Sequence, residues 1–265
     1  MGEYMQQVLT PEYGFDIQLK TDPNQFNRIY EFKDIGFWAS LKNSWKDQEN
    51  GKYSSLGFWD TCSFMSVYST SMGEMDKTLG QGNRKAEAEE MKGLGMDFHN
   101  VLKPEFYQAE IISALSMGTA RGLGKLAAFM ANKGKLGEQQ LMSEASWDVV
   151  HADPTYQPML PECMGTFFTT GGLGRFDHDE LLKQTRHEFF GQHKLIPHLE
   201  WEEHSKRKGF YGWFGAGGSI LQWNPDSQIG FGYVPSDMVS MDYFNFRGST
   251  LQEVAAKCAA ACASE

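Results

Sequence analysis

The sequence predicts an α+β fold built on an antiparallel sheet with flanking helices. Helical patterns come first, strand patterns follow and one last helix closes the chain, so helices and strands do not alternate as a parallel sheet requires. The stretch "GSILQWNPDSQIGFGYV" reads as a hairpin, because Ile229, Phe231 and Tyr233 alternate on one face and Asn224-Pro225-Asp226 supplies turn chemistry. No internal repeat of solenoid period is present.

The elements follow in chain order. Tyr4, Met5, Val8 and Leu9 form a short helical apolar stripe that Pro11 is expected to stop. The stretch from Lys52 to Met72 reads as loop with short irregular pieces, and Asn83 to Gly93 as a charged, exposed helical turn or two. The clearest helix lies in "GTARGLGKLAAFMANKG": Thr119 caps it, and Leu123, Leu126, Ala127 and Met130 share one face. Gly134 suits the left-handed residue that ends it. The internal Gly122 and Gly124 weaken helix propensity and point to close packing on a neighbouring backbone. A short helix in "SEASWDVVHADP" ends before Pro154, and "MGTFFTTGGLGRFD" reads as a strand running into a glycine-rich turn. In the closing helix, Ser249 and Gln252 form a capping box. Leu251, Val254, Ala255, Cys258, Ala259 and Cys262 line one face, so both cysteines are expected to point at the core as small apolar residues.

Composition excludes several classes. The chain has 265 residues and a net charge of −10, which argues against a nucleic-acid binder. The basic run Ser205 to Lys208 stands beside the acidic Glu200 to Glu203 and reads as a solvated loop. Cys62, Cys163, Cys258 and Cys262 have neither zinc-ligand spacing nor the density of a disulfide scaffold, so the default compartment is reducing and cytoplasmic. No apolar run approaches the ~20 residues of a membrane span. The first residues carry no signal-peptide pattern and match myristoylation poorly.

Catalytic motifs are sparse. No complete dinucleotide-binding or phosphate-loop sequence occurs, and G-x-S-x-G is absent. His187, His193, His198 and His204 cluster with Glu188, Glu200, Glu202 and Glu203, but "HEFFGQH" misses the i, i+4 spacing that presents two histidines to one zinc. No cofactor and no metal are expected. Ser-x-x-Lys occurs once, at Ser205 to Lys208, where a solvated tribasic run does not give a lysine the desolvation a base needs. Tyr-x-Asn occurs once, at Tyr243 to Asn245. Both read as chance matches. "GFYGWFGAGGSILQW" sets flexible backbone beside bulk; it suits either a strand lining a cleft or a glycine-rich hairpin wedged under aromatic packing.

Taken together, "AEIISALSMGTARGLGKLAAFMANKGKLGEQQLMS", "MGTFFTTGG", "YGWFGAGGSILQWNPDSQIGFGYV" and the closing helix resemble the serine β-lactamase-related family of class C β-lactamases, penicillin-binding proteins and esterase relatives. The match covers most of Glu110 to Glu265, and Met1 to about Pro23 fits more loosely. The resemblance implies a β-lactamase/transpeptidase-like sheet, incomplete at its N-terminal side. Residues 1–109 would be an irregular, partly helical lead-in, and 110–265 would hold the helix, the strands and the C-terminal helix.

In the family, the third motif lies on the strand matched here by Trp213-Phe214-Gly215, followed by Ala216. The resemblance makes these four residues a cleft wall, with Gly215 and the Ala216 N–H in the backbone, oxyanion-binding role. Trp213 stands where the family has a cationic or protonatable side chain, and an aromatic ring cannot shuttle a proton. The family's Ser-x-x-Lys and Tyr-x-Asn precede this region and find no counterpart here. The complete domain would act on small acyl, amide or ester substrates through a serine acyl-enzyme. This chain would be a portion of that domain, inactive alone, whose partner is a missing N-terminal half or a second copy across exposed sheet. The alternative is a non-catalytic binding or scaffold protein that kept the sheet and lost the chemistry, and a weaker one is a metal-assisted hydrolase built on His187 to His204.

Overall fold

The structure, a computed structural model, describes residues 1–29, 33–35, 42, 107–108, 110, 116–159, 164–176, 207–215, 218–239 and 245–263. The chain starts with three helical pieces in series: α1 (Gly2–Tyr4), a π-helical segment (Met5–Leu9) and α2 (Thr10–Tyr13). Pro11 does not stop this run. It falls in the first turn of α2, where no intrahelical N–H donor is needed, and the run ends at Gly14 with φ +68°. Strand β1 (Ile17–Gln18) follows, then a 3-10 turn (Pro23–Arg28) and β2 (Lys33–Ile35). Next come β3 (Met117–Gly118), which pairs with β1, and helix α3 (Ala120–Ala131).

Helix α3 is built as its sequence predicts. The Thr119 hydroxyl accepts the Gly122 N–H at 3.1 Å, and Gly134, with φ +85°, donates its N–H to Phe129 O at 2.7 Å. A small hairpin of β4 (Lys135–Leu136) and β5 (Gln139–Gln140) leads to α4 (Glu144–His151), capped by Ser143 through the Ser146 N–H at 3.1 Å.

The remaining chain lays down the main sheet. Its strands are β6 (Thr155–Met159), β7 (Met164–Phe168), β8 (Gly174–Arg175), β9 (Tyr211–Phe214), β10 (Ile220–Asn224) and β11 (Ile229–Tyr233). Each pairs antiparallel with the next, so the six-stranded sheet is a meander in sequence order. The β10–β11 turn is held by the Asn224 side-chain oxygen, which accepts the N–H groups of Asp226 and Ser227. Strand β12 (Asp237–Val239) then pairs parallel with β2, and helix α5 (Phe246–Ala263) closes the chain.

The strand register sorts the layers. Trp223 and Leu221 pair with Gly230 and Gly232, and this face meets α3. Ile220 and Gln222 pair with Tyr233 and Phe231, and this face meets α5. The β10–β11 end of the sheet is therefore covered on both sides. Ala127, Met130, Ala131, Trp147 and Trp223 form the core between α3, α4 and the sheet. On its other side α3 meets the N-terminal segment, where Phe15 and Phe129 are fully buried and stand edge-to-face at 5.6 Å.

Two expectations for α5 fail. The helix begins at Phe246, so Ser249 lies one turn inside; its N–H bonds Asn245 O at 2.8 Å and no capping box forms. The stripe expected to be buried faces solvent: Leu251 and Val254 are more than half exposed, and Cys258 and Cys262 are free and exposed. The buried face carries Gly248, Ser249 and Gln252 instead. Its close contacts explain this. A Cβ on Gly248 would lie 2.9 Å from Tyr233, and Gln252 donates to the Gln222 side chain at 2.8 Å.

The helix glycines give a paired prediction. A Cβ on Gly232 would overlap the Gly124 nitrogen and stand 2.8 Å from Ala120 O, whereas one on Gly124 would meet its nearest neighbour at 3.9 Å. Gly232→Ala is expected to destabilise by about 1–3 kcal/mol. Gly124→Ala is expected to be neutral or stabilising by up to about 1 kcal/mol. Urea unfolding of both variants checks the pair, and equal losses would contradict the contact as described.

Candidate functional site

Strand β9 carries the residues that the sequence singles out, and glycine positions set its geometry. Gly212 has φ +108°, and a Cβ there would overlap Leu221 O on β10. On β8, a Cβ at Gly174 would lie 2.7 Å from the Trp213 ring, so that ring covers a strand position with no side chain of its own. Trp213 reaches across to Phe168 on β7, with centroids 5.3 Å apart, and lies parallel to Phe214 at 5.4 Å. The hairpin is wedged under aromatic packing, and its open end lines a cleft.

That cleft has a volume of about 230 Å³. The sheet contributes Trp213, Phe214 and Gly215 with Ile220 and Leu221 of β10. The β1–β3 pair and α3 contribute Ile17, Met117, Gly118 and Leu123. Ser116, Ser219 and Val234 complete the lining. The Gly215 N–H donates to Ser219 O at 2.8 Å, so the Gly215 amide is engaged within the β9–β10 connection. Ala216, whose N–H is the expected oxyanion donor of this stretch, lies outside the described residues.

Behind β9, toward α4, stands a buried aromatic cluster. His151 stacks on Trp147 with ring centroids 3.6 Å apart, and Tyr211 and Trp223 meet it edge-on at 4.8 Å and 5.8 Å. The Trp223 indole N–H donates to His151 Nε2 at 3.0 Å. An indole is only a donor, so Nε2 carries no proton, and Nδ1–H donates to Trp147 O at 2.7 Å. Burial pushes the His151 pKa below its ordinary 6.5, against the smaller upward pull of Trp147 O and Asp148. This ring is a neutral fixture of the core between α4 and the sheet, on the same sheet face as Trp213.

The other expected site residues are divided. His187, His193, His198, His204 and their neighbouring glutamates lie outside the described residues, as do Ser205, Tyr243, Cys62 and Cys163. Of the basic run read as a solvated loop, Lys208 is exposed and Arg207 is the exception. It is fully buried, with its guanidinium 4.3 Å over the Phe214 ring, a contact that favours a desolvated cation on an aromatic face. Asn245 is also fully buried, with φ +53°, in the turn before α5. Sequence reasoning missed His151, whose apolar surroundings come from three separate elements, and missed Ser219, which no motif marks. Among the described residues no group of three or more His, Cys, Asp or Glu side chains is arranged to hold a metal ion, and no helix is long and apolar enough to cross a membrane.

Comparison with known proteins returns a fold and no family. No family model matches the chain, and no curated protein matches it. Among solved structures, a penicillin-binding protein homolog from Caulobacter crescentus superposes with a TM-score of 0.50 at 12% identity, over 95% of this chain. The chain spans about half of that protein's length, the match covering 52% of it. This supports a penicillin-binding-protein-like α+β fold.

The His151 geometry yields a pH prediction. The folded state holds the ring neutral while the unfolded chain protonates it near 6.5, so the unfolded state binds more protons below that value. The contribution is fully present above pH 6.5 and declines as pH falls through the lowered folded value. Trp223→Phe removes the donor to Nε2 and is expected to cost about 1 kcal/mol at pH 7.5. It should also flatten the loss of stability between pH 6.5 and 5. Denaturation midpoints at both pH values check this; an unchanged slope in the variant would assign the pH dependence to other groups.

Proposed function

We propose that the chain is a portion of a β-lactamase-related serine-hydrolase domain and supplies one wall of its acyl-binding cleft. The supporting observation is the cleft at the end of β9, on the strand that the sequence resemblance matches to the family's third motif. The likeness in fold to a penicillin-binding protein homolog agrees with that resemblance. In this reading Trp213 and Phe214 pack against the acyl or aryl part of a small ester, amide or lactam. The Ala216 N–H points the scissile carbonyl through an oxyanion bond. The nucleophile, its activating lysine and the tyrosine are absent from the sequence in the required order, so the chain alone does not turn over substrate. A missing N-terminal portion, or a second copy, completes the sheet.

A second reading has its own support. Trp213 replaces a cationic side chain, and its ring is packed against Phe168 and Phe214. That packing suits a binding protein that kept the sheet without the chemistry.

The test is reaction of the purified 265-residue chain with a fluorophosphonate probe, followed by peptide mapping. The expected result is no specifically labelled serine. A single labelled serine that a β-lactam or ester substrate protects would contradict the claim that the nucleophile is missing.

A further inference from the structure

We propose that the β9 cleft selects an uncharged ligand: the alkyl or aryl group of a neutral ester or amide rather than a carboxylate-bearing one. This rests on the reading of the cleft as a ligand site. Among the described residues the lining contains no ionisable side chain, and its polar side-chain groups are the hydroxyls of Ser116 and Ser219 and the indole N–H of Trp213, all neutral. Large apolar side chains come from every element around it, namely Ile17, Met117, Leu123, Trp213, Phe214 and Val234. An anion entering such a space loses its hydration and meets no opposite charge in exchange. A neutral amide or ester keeps its one strong acceptor within reach of a hydroxyl while its apolar end replaces water on the aromatic wall.

Arg207 does not alter this. Its guanidinium lies behind the wall, 4.3 Å from the centre of the Phe214 ring, and is wholly buried, so it presents no donor to the cleft. The Gly215 N–H is directed to Ser219 O and is likewise turned away from a ligand. Selection against charge thus follows from the described residues of the lining.

The experiment is a calorimetric titration of the full chain with two matched probes. One is N-benzylbutanamide, and the other is the same amide with a para-carboxylate on the ring. The neutral probe is expected to bind at least tenfold more tightly. Val234 is 37% exposed at the cleft, so Val234→Lys introduces a cation at little risk to folding, and it should erase or reverse that preference. Trp213→Phe keeps a ring at the wall and should retain the preference. Equal or tighter binding of the carboxylate by the wild-type chain would overturn the charge selection and leave the ligand site standing. Failure of both probes to bind would overturn the ligand site as well. A preference that Val234→Lys leaves untouched would place binding elsewhere and overturn the assignment to this cleft.

Discussion

The fold depends on one contact without side chains: the backbone of α3 lying directly on strand β11. A Cβ on Gly230 would stand within 2.7 Å of three backbone atoms of Ala127 and Ala128, and Gly232 makes the same approach one turn earlier. On its other side α3 presents Gly122 to Asp16, where a Cβ would lie 2.8 Å from the backbone. The helix is held between two peptide backbones at distances only glycine permits. That clamp sets the height of α3 above the sheet. It thereby sets how far Leu123 stands from β10, and so the depth of the cleft between them.

The same economy of side chains shapes β9. Gly174 and Gly212 leave room on adjacent strands, and Trp213 and the Trp223 ring occupy that room from their own strands. An aromatic covering a neighbour's glycine restores the buried surface the glycine lacks, and it stiffens the pairing. His151 then fixes Trp223 from behind through the indole N–H. The aromatic part of the cleft wall is Trp213 and Phe214, whose rings stack on each other, with Phe168 of β7 against Trp213. Such a wall suits recognition by shape and apolar contact. Among the described residues its lining carries no ionisable side chain.

Local signals in the sequence were legible where one element determines the outcome. The Thr119 cap, the Gly134 terminus, the Asn224 turn and the alternation at Ile229, Phe231 and Tyr233 all appear in the structure, because each depends on neighbours only a few residues away. Gly122 and Gly124 correctly indicated a close backbone, but sequence alone does not say which partner owns the constraint: at Gly124 it belongs to Gly232. Arg207 and α5 were misread for a common reason. Charge and hydropathy assign a residue to solvent or core by its own chemistry, while Phe214 below the guanidinium and Gln222 opposite Gln252 supply partners from distant strands. The cleft was legible as β9 alone; its other elements, β1, β3 and the start of α3, are brought to it by the α3 clamp.

Helix α5 also bears on how the molecule comes apart. Its attachment includes an amide-to-amide hydrogen bond, a glycine contact and a bond from the Arg247 guanidinium to Asp237 O at 3.1 Å, while Leu251 and Val254 remain in water. Detaching it uncovers apolar surface on the sheet rather than on the helix, at Ile220 and Tyr233 beneath Gly248. A segment held in this way opens as a local unit well before the clamped α3 and its sheet. Amide hydrogen exchange in α5 is therefore expected to run ahead of exchange at the α3–β11 contact.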